Sequence, residues 1–326
     1  MRKEEIYIQN PRIELIKFFM MTLIVVGLIS GCSINGKSES STEEKAHYPQ
    51  TFIDACGSEV LIQKEPQNVV VQGSWEEDFL KEAGAGGKVK RFEGMGIGGS
   101  INETERRIAA ETTPDLVVIM SKYKPTEGDC KSAKALQKMG IPAYVSDQST
   151  VKKVASELLQ IGNIINTKEQ AKKASEKLSE TIRKVEQAVY GLNRPSVYWE
   201  NSLDVEFEEI KSFLAIGGDV LENDLLKMAG GENIIQDLTV PNPYRVETNL
   251  KDIQDKNPQC ILVSGYEIKF VQGYQPVNRR DGWENIAAIK NNNVIELPIS
   301  FGSVSSLSED LIQLAEFIHP ELRGKL

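Results

Sequence analysis

The chain has 326 residues, 40% of them hydrophobic and 26% charged, with a net charge of −9. That length suits two lobes of ordinary size, and the balance is that of a folded globular protein rather than a disordered or fibrous one. An acidic total argues against a nucleic-acid partner, which would favour a basic face.

In chain order, the first segment carries Arg2, Lys3, Arg12 and Lys17 ahead of an uncharged apolar run from Phe18 to Leu28. That run is about half of the ~20 residues needed to span a bilayer, so it reads as a signal peptide over residues 1–31. It closes on Leu28-Ile29-Ser30-Gly31-Cys32, which resembles the lipobox of bacterial lipoproteins. Lipidation at Cys32 is the expectation. Residues 32–47 contain Gly-Lys-Ser-Glu-Ser-Ser-Thr-Glu-Glu-Lys with nothing apolar inside, the composition of a flexible tether.

The remaining cysteines, Cys56, Cys130 and Cys260, show no C-x-x-C spacing, so neither zinc nor thioredoxin-type chemistry is indicated. A Cys56–Cys130 bridge is one option outside the cytoplasm; buried free thiols are the commoner outcome. His47 lies at the edge of the tether, which leaves His319.

Beyond the tether, short apolar runs recur at Val69-Val71, Leu116-Met120, Ala143-Val145, Val197-Trp199, Cys260-Val263 and Val294-Leu297. Amphipathic stretches separate them, which predicts an α/β fold of two Rossmann-like lobes with parallel-rich sheets. Thr113-Pro114 leads into one run as Asn257-Pro258 leads into another, a pseudo-repeat with one copy in each half. Proline there ends a helix and favours an extended start. Between the halves, Ala171, Ala174, Leu178, Ile182, Val185 and Val189 step by three or four and predict one long helix from Lys168 to Tyr190, ended by Gly191 and Pro195. The expected lobes are residues 48–167 and 193–326, joined by a helix over 168–192.

Five motifs in order resemble the substrate-binding proteins of ABC importers for iron-siderophores, haem and cobalamin. They are Phe52-Ile53-Asp54-Ala55-Cys56-Gly57 with Pro66-Gln67-Asn68-Val69-Val70, Thr113 to Ile119, Ala229-Gly230-Gly231-Glu232-Asn233-Ile234, Trp283 to Lys290 with Val294, and Leu314 to Pro320. The resemblance spans Tyr48 to Leu326. It implies a helical-backbone receptor with its ligand cleft between the lobes, held at the outer face of a Gram-positive type membrane. The implied partners are a small-molecule metal complex, a permease dimer with its ATPase, and the membrane through the lipid anchor. A monomer is expected, with no cofactor of its own and no catalysis.

Ligands of open parallel sheets bind beyond the carboxyl ends of the strands. That rule selects Trp75, Tyr123, Trp199, Tyr244, Arg245, Tyr266 and Phe301, aromatic or cationic groups suited to a flat or anionic chelate, together with Arg279 and Arg280. Gly94 to Ser100 satisfies G-x-G-x-x-G without the strand context of a dinucleotide site, and is read as a loop lining the cleft. The resemblance implies one docking glutamate per lobe: Glu105 in the first, with Glu103 next, and Glu247 in the second, where Lys251 stands at the expected position. Glu76, Glu77 and Asp78 are expected in a first helical turn rather than as a catalytic pair. The alternatives are a molybdate- or tungstate-type oxyanion receptor of the same fold, an extracytoplasmic enzyme, or a sensor.

Overall fold

The structure is a computed structural model that describes residues 48–92, 101–201, 213–235, 246–264, 276–297 and 303–326. The signal peptide, the tether and Cys32 lie outside the described residues.

A hairpin of β1 (Gln50–Ile53) and β2 (Glu59–Ile62) opens the folded part. Its turn is held by Asp54, whose carboxylate accepts the N–H groups of Cys56 and Ser58 at 2.9 and 2.8 Å. Cys56 is disulfide-bonded to Cys130, so the hairpin is tied to the first lobe, and Cys260 is the free thiol among the described residues. Burial pushes the Cys260 pKa up to about 11, which keeps it protonated and inert.

The first sheet is parallel throughout, in the order β4-β3-β5-β6. Its strands are β3 (Val69–Val71), β4 (Val89–Arg91), β5 (Leu116–Ser121) and β6 (Ala143–Asp147). Strand alternation sends Val69, Val71, Leu116 and Val118 to one face, and Val70, Val117, Ala143 and Val145 to the other. The first face packs against α1 (Ser74–Glu82) and α4 (Val151–Ile164), the second against α2 (Ile101–Thr112) and α3 (Glu127–Lys138). Sequence chemistry places the helix starts. Thr126 and Asp129 form a capping box on α3, and Thr150 caps α4 by accepting the N–H of Lys153.

The long helix is α5, Lys168–Val189. Ala171, Leu178, Ile182 and Val185 of the anticipated stripe are buried, and its 22 residues span about 33 Å. Gly191, just past its end, takes the left-handed φ of 79° that favours glycine.

The second sheet runs β10-β8-β7-β11-β12, with β9 on the far part of β7. Its strands are β7 (Ser196–Asn201), β8 (Phe213–Ala215), β9 (Glu232–Asn233), β10 (Val246–Thr248), β11 (Cys260–Ser264) and β12 (Val294–Glu296). Strands β7, β11 and β12 are parallel, whereas β8 runs antiparallel to both neighbours. One face packs on α6 (Leu221–Met228) and α9 (Leu307–Ile318), the other on α7 (Leu250–Lys256) and α8 (Ala287–Lys290).

The pseudo-repeat extends to the backbone. Thr113 and Asn257, each before a proline, both adopt left-handed φ, at 45° and 42°. Asp115 N–H donates to Asn68 O as Gln259 N–H donates to Ser196 O, at 2.9 and 2.8 Å. Two residues later, Val117 N–H meets Pro142 O and Ile261 N–H meets Asn293 O, both at 2.9 Å. The same local sequence logic thus builds an interior strand of each sheet.

One apolar cluster runs through both lobes. It joins Val69, Leu116 and Leu158 to Leu178, Ile182 and Val185 of α5, and on to Val197, Leu225 and Leu311.

Candidate ligand cleft

Strand order fixes where a ligand can enter. In the first sheet β3 connects to β4 on one side, while β5 lies on the other. The covering helices therefore leave on opposite faces and a crevice opens beyond the carboxyl ends of β3 and β5. In the second sheet the same reversal falls between β7 and β11, since β8 is on the opposite side of β7.

Trp75 stands at the first crevice, half-buried on the opening turn of α1. Its indole N–H donates to the Oε1 of Gln148, which is fully buried beyond β6. Gln148 is held in turn by its own N–H to Ser121 O at 3.0 Å and by its amide to Ser146 Oγ at 3.3 Å. The Lys122 ammonium, just past β5, lies 4.2 Å from the centroid of the Trp75 ring. Glu76 sits alongside, and burial raises its pKa against the opposing pull of backbone hydrogen bonds and Lys122. A Cβ at Gly73 would strike Glu76 Oε2, so a side chain there would push the Glu76 carboxylate aside. Glu76 and Glu77 occupy the first turn of α1, as expected for acids favoured by the helix dipole.

The lobes touch at this same exit. Leu221 N–H donates to Lys122 O at 2.8 Å, Tyr123 and Val220 form an antiparallel bridge, and Lys122 Nζ lies 3.2 Å from Glu222 Oε1. Tyr123 is half-buried; burial and the carboxylates of Asp129 and Glu76 push its phenol pKa up. Further bonds cross between the lobes, among them Val151 N–H to Asp224 Oδ2 at 2.8 Å and Ser305 N–H to Asp78 Oδ2 at 3.1 Å.

At the second crevice, Arg280 forms a two-pronged ion pair with Glu200: Nη1 to Oε2 and Nη2 to Oε1, each 2.7 Å. Its guanidinium carbon lies 5.2 Å from the Phe213 ring centroid and 5.1 Å from that of Trp283. Arg280 is thus committed to the protein's own architecture as well as lying near an exit. Arg279 is exposed at the end of a short 3-10 turn.

Two expectations need correction. Trp199 was assigned to an exit, but β7 continues to Asn201 and Trp199 is fully buried in the core. Its indole N–H donates to Ser264 Oγ at 2.9 Å, which stitches β7 to β11. Glu105 was assigned to a docking tip, yet it is 1% exposed and accepts from the Ser132 hydroxyl across the α2–α3 contact. A carboxylate enclosed there cannot reach another protein; Glu103, two residues earlier, is exposed. Glu247 is exposed on β10, and Lys251 is exposed and paired with Asp255. Tyr244, Arg245, Tyr266, Phe301 and the Gly94–Ser100 loop lie outside the described residues.

Sequence reasoning placed Glu200 at an exit with Trp199 and Asn201 but missed Gln148 and Glu222 as parts of this region. No local pattern marks Gln148 or Glu222. A surface groove of about 390 Å³ lies elsewhere, between α4 and α5, and is lined by Lys152, Leu159, Ile182 and Arg183 among others.

Residues 107–300 match the periplasmic binding protein family. The chain belongs to that family. A relative over nearly the whole length is the ABC transporter substrate-binding lipoprotein YvrC of Bacillus subtilis, 22% identical over 92% of this chain and 95% of its own. The haem uptake protein IsdE of Staphylococcus aureus is 26% identical over 53% of this chain and 58% of its own. Among solved structures, Helicobacter pylori CeuE with Ni(II) bound superposes with a TM-score of 0.65, at 17% identity over 85% of this chain and 91% of that one. The resemblance read from the five motifs therefore holds, as does the two-lobed α/β class. The chain is a binding protein and not an enzyme.

Proposed function

We propose that the protein is the extracytoplasmic receptor of an ABC importer and captures a metal chelate, an iron(III)-siderophore, haem or cobalamin, for delivery to the permease. The observation that carries this reading is a switch-point crevice in each lobe, the first of which opens where Lys122 and Tyr123 meet Val220 and Leu221 of the second lobe. Trp75 and Tyr123 offer aromatic area at low conformational cost to a flat or bulky ligand. The relatives' names support the same class of cargo. Cys32 would carry the lipid, residues 32–47 would be the tether, and residues 48–167 and 193–326 the lobes on either side of the helix over 168–192.

The test is intrinsic tryptophan fluorescence of the full chain in detergent, titrated with ferric siderophores, haemin, cobalamin and molybdate. Saturable quenching by one chelate at micromolar concentration or below identifies the cargo. Saturation by molybdate alone would replace the chelate by an oxyanion. Silence toward all four, with a folded circular dichroism spectrum, would overturn the reading. Separately, Cys32→Ser is expected to release the protein from the membrane fraction into the medium.

A further inference from the structure

Lys122 is held by three kinds of contact at once. Its ammonium lies over Trp75, its Nζ pairs with Glu222 of the second lobe, and its carbonyl accepts the N–H of Leu221. The side chain is 24% exposed and that of Glu222 is 12% exposed, so the pair is sheltered yet open to a molecule in the crevice.

We propose that Lys122 is the cleft's contact for an anionic group on the ligand, and that Glu222 holds this ammonium in place until the ligand displaces it. The inference rests on the cleft being the ligand site, and it adds a chemical class: the cargo carries a carboxylate, phosphate or anionic metal centre.

Position is the first argument. Lys122 is the first residue past β5, at the first-lobe switch point and beside Trp75. The second argument concerns what holds the lobes. The Tyr123–Val220 bridge, the Leu221–Lys122 backbone bond, and the bonds of Asp224 to Val151 and Asp78 to Ser305 all join them without the Lys122 side chain. Exchange of Glu222 for a ligand anion therefore leaves the inter-lobe contacts in place. Charge-assisted bonds of this kind discriminate well because a mismatched partner leaves a charge unpaired.

A merely structural strut and a displaceable contact differ in sign. Four proteins are compared by tryptophan fluorescence: wild type, Lys122→Met, Glu222→Gln and the double variant, each checked for folding by circular dichroism. The probes are haemin and an anionic ferric tris-catecholate, with cationic ferrioxamine as the contrast. The expected result is that Lys122→Met weakens an anionic probe about tenfold or more. Glu222→Gln tightens it severalfold, and the double variant behaves as Lys122→Met alone, because Glu222 acts through Lys122. Unchanged affinity in Lys122→Met, weakening in both single variants, or tightening by Glu222→Gln that persists without Lys122 would each overturn the proposal. So would a wild type that binds ferrioxamine alone. A folded wild type that binds none of the probes or the other chelates would remove the receptor reading, and the proposal with it.

Discussion

Glu200→Gln is expected to destabilise the second lobe by about 3 kcal/mol. The side chains of Glu200 and Arg280 are 4% and 11% exposed, and both guanidinium ends are engaged at 2.7 Å. Gln keeps the shape and one acceptor but removes the charge, which leaves a cation enclosed between Phe213 and Trp283. Breaking a buried pair by removing one partner costs roughly 3–5 kcal/mol, and the residual exposure of Arg280 places this case at the lower end. Urea unfolding followed by far-ultraviolet circular dichroism measures it. A cycle with Arg280→Met sharpens the test. The double variant has no orphaned charge, so its loss should be smaller than the sum of the single losses by at least about 1 kcal/mol. A loss below about 1 kcal/mol for Glu200→Gln, or strict additivity, would refute the claim that this pair supports the exit of β7.

Cys56→Ser should lower stability by about 2–4 kcal/mol, because the bridge closes a long loop across 74 positions of sequence; urea midpoints with and without reductant check this. His319 is 3% exposed, and burial holds its pKa below the ordinary value against the opposing pull of Glu321 and the Gly230 backbone. The unfolded chain therefore takes up a proton first as pH falls below about 6.5, and stability is lost until the pH passes below the folded pKa. His319→Gln should flatten that slope between pH 7.5 and about 5.5, and an unchanged slope would count against it. Gly230→Ala should cost at least about 1 kcal/mol in the same unfolding assay, since Gly230 has φ 86° and its added Cβ would strike the His319 ring.

Much of the fold was legible because burial writes itself into the sequence as period and run length. All six apolar runs became strands, and Val69–Val71 kept its bounds unchanged. The stripe of α5 was readable for the same reason, as a helix that buries one face must repeat its apolar residues. Strands β4 and β8 left no comparable trace. Val89–Arg91 pairs on one side only and exposes two of its three residues, so no apolar run was required of it. The site was less legible, because contacts such as Trp75 with Gln148 or Lys122 with Glu222 join residues 73 and 100 positions apart. Glu105 did leave a sign, since it lies three residues before the buried Ile108 and hence on the same helical face.

The shared core limits how this receptor can respond to a ligand. Leu178, Ile182 and Val185 of α5 belong to the same cluster as Val69 in one lobe and Leu311 in the other. Pulling the lobes apart would expose several such side chains, each worth about 1.5–3 kcal/mol when buried. A ligand would have to supply that sum before gaining any contact, which exceeds what typical binding energies leave over. Adjustment at the strand exits carries no such cost. Replacing Glu222 by a ligand anion at Lys122, or turning Trp75 within its half-buried site, changes a few polar contacts and leaves the core closed. Selectivity in this fold therefore belongs to the side chains at the strand exits, and substitutions at Lys122 and Glu222 should alter which ligand binds while leaving the unfolding midpoint nearly unchanged, unlike those at the buried Glu200–Arg280 pair.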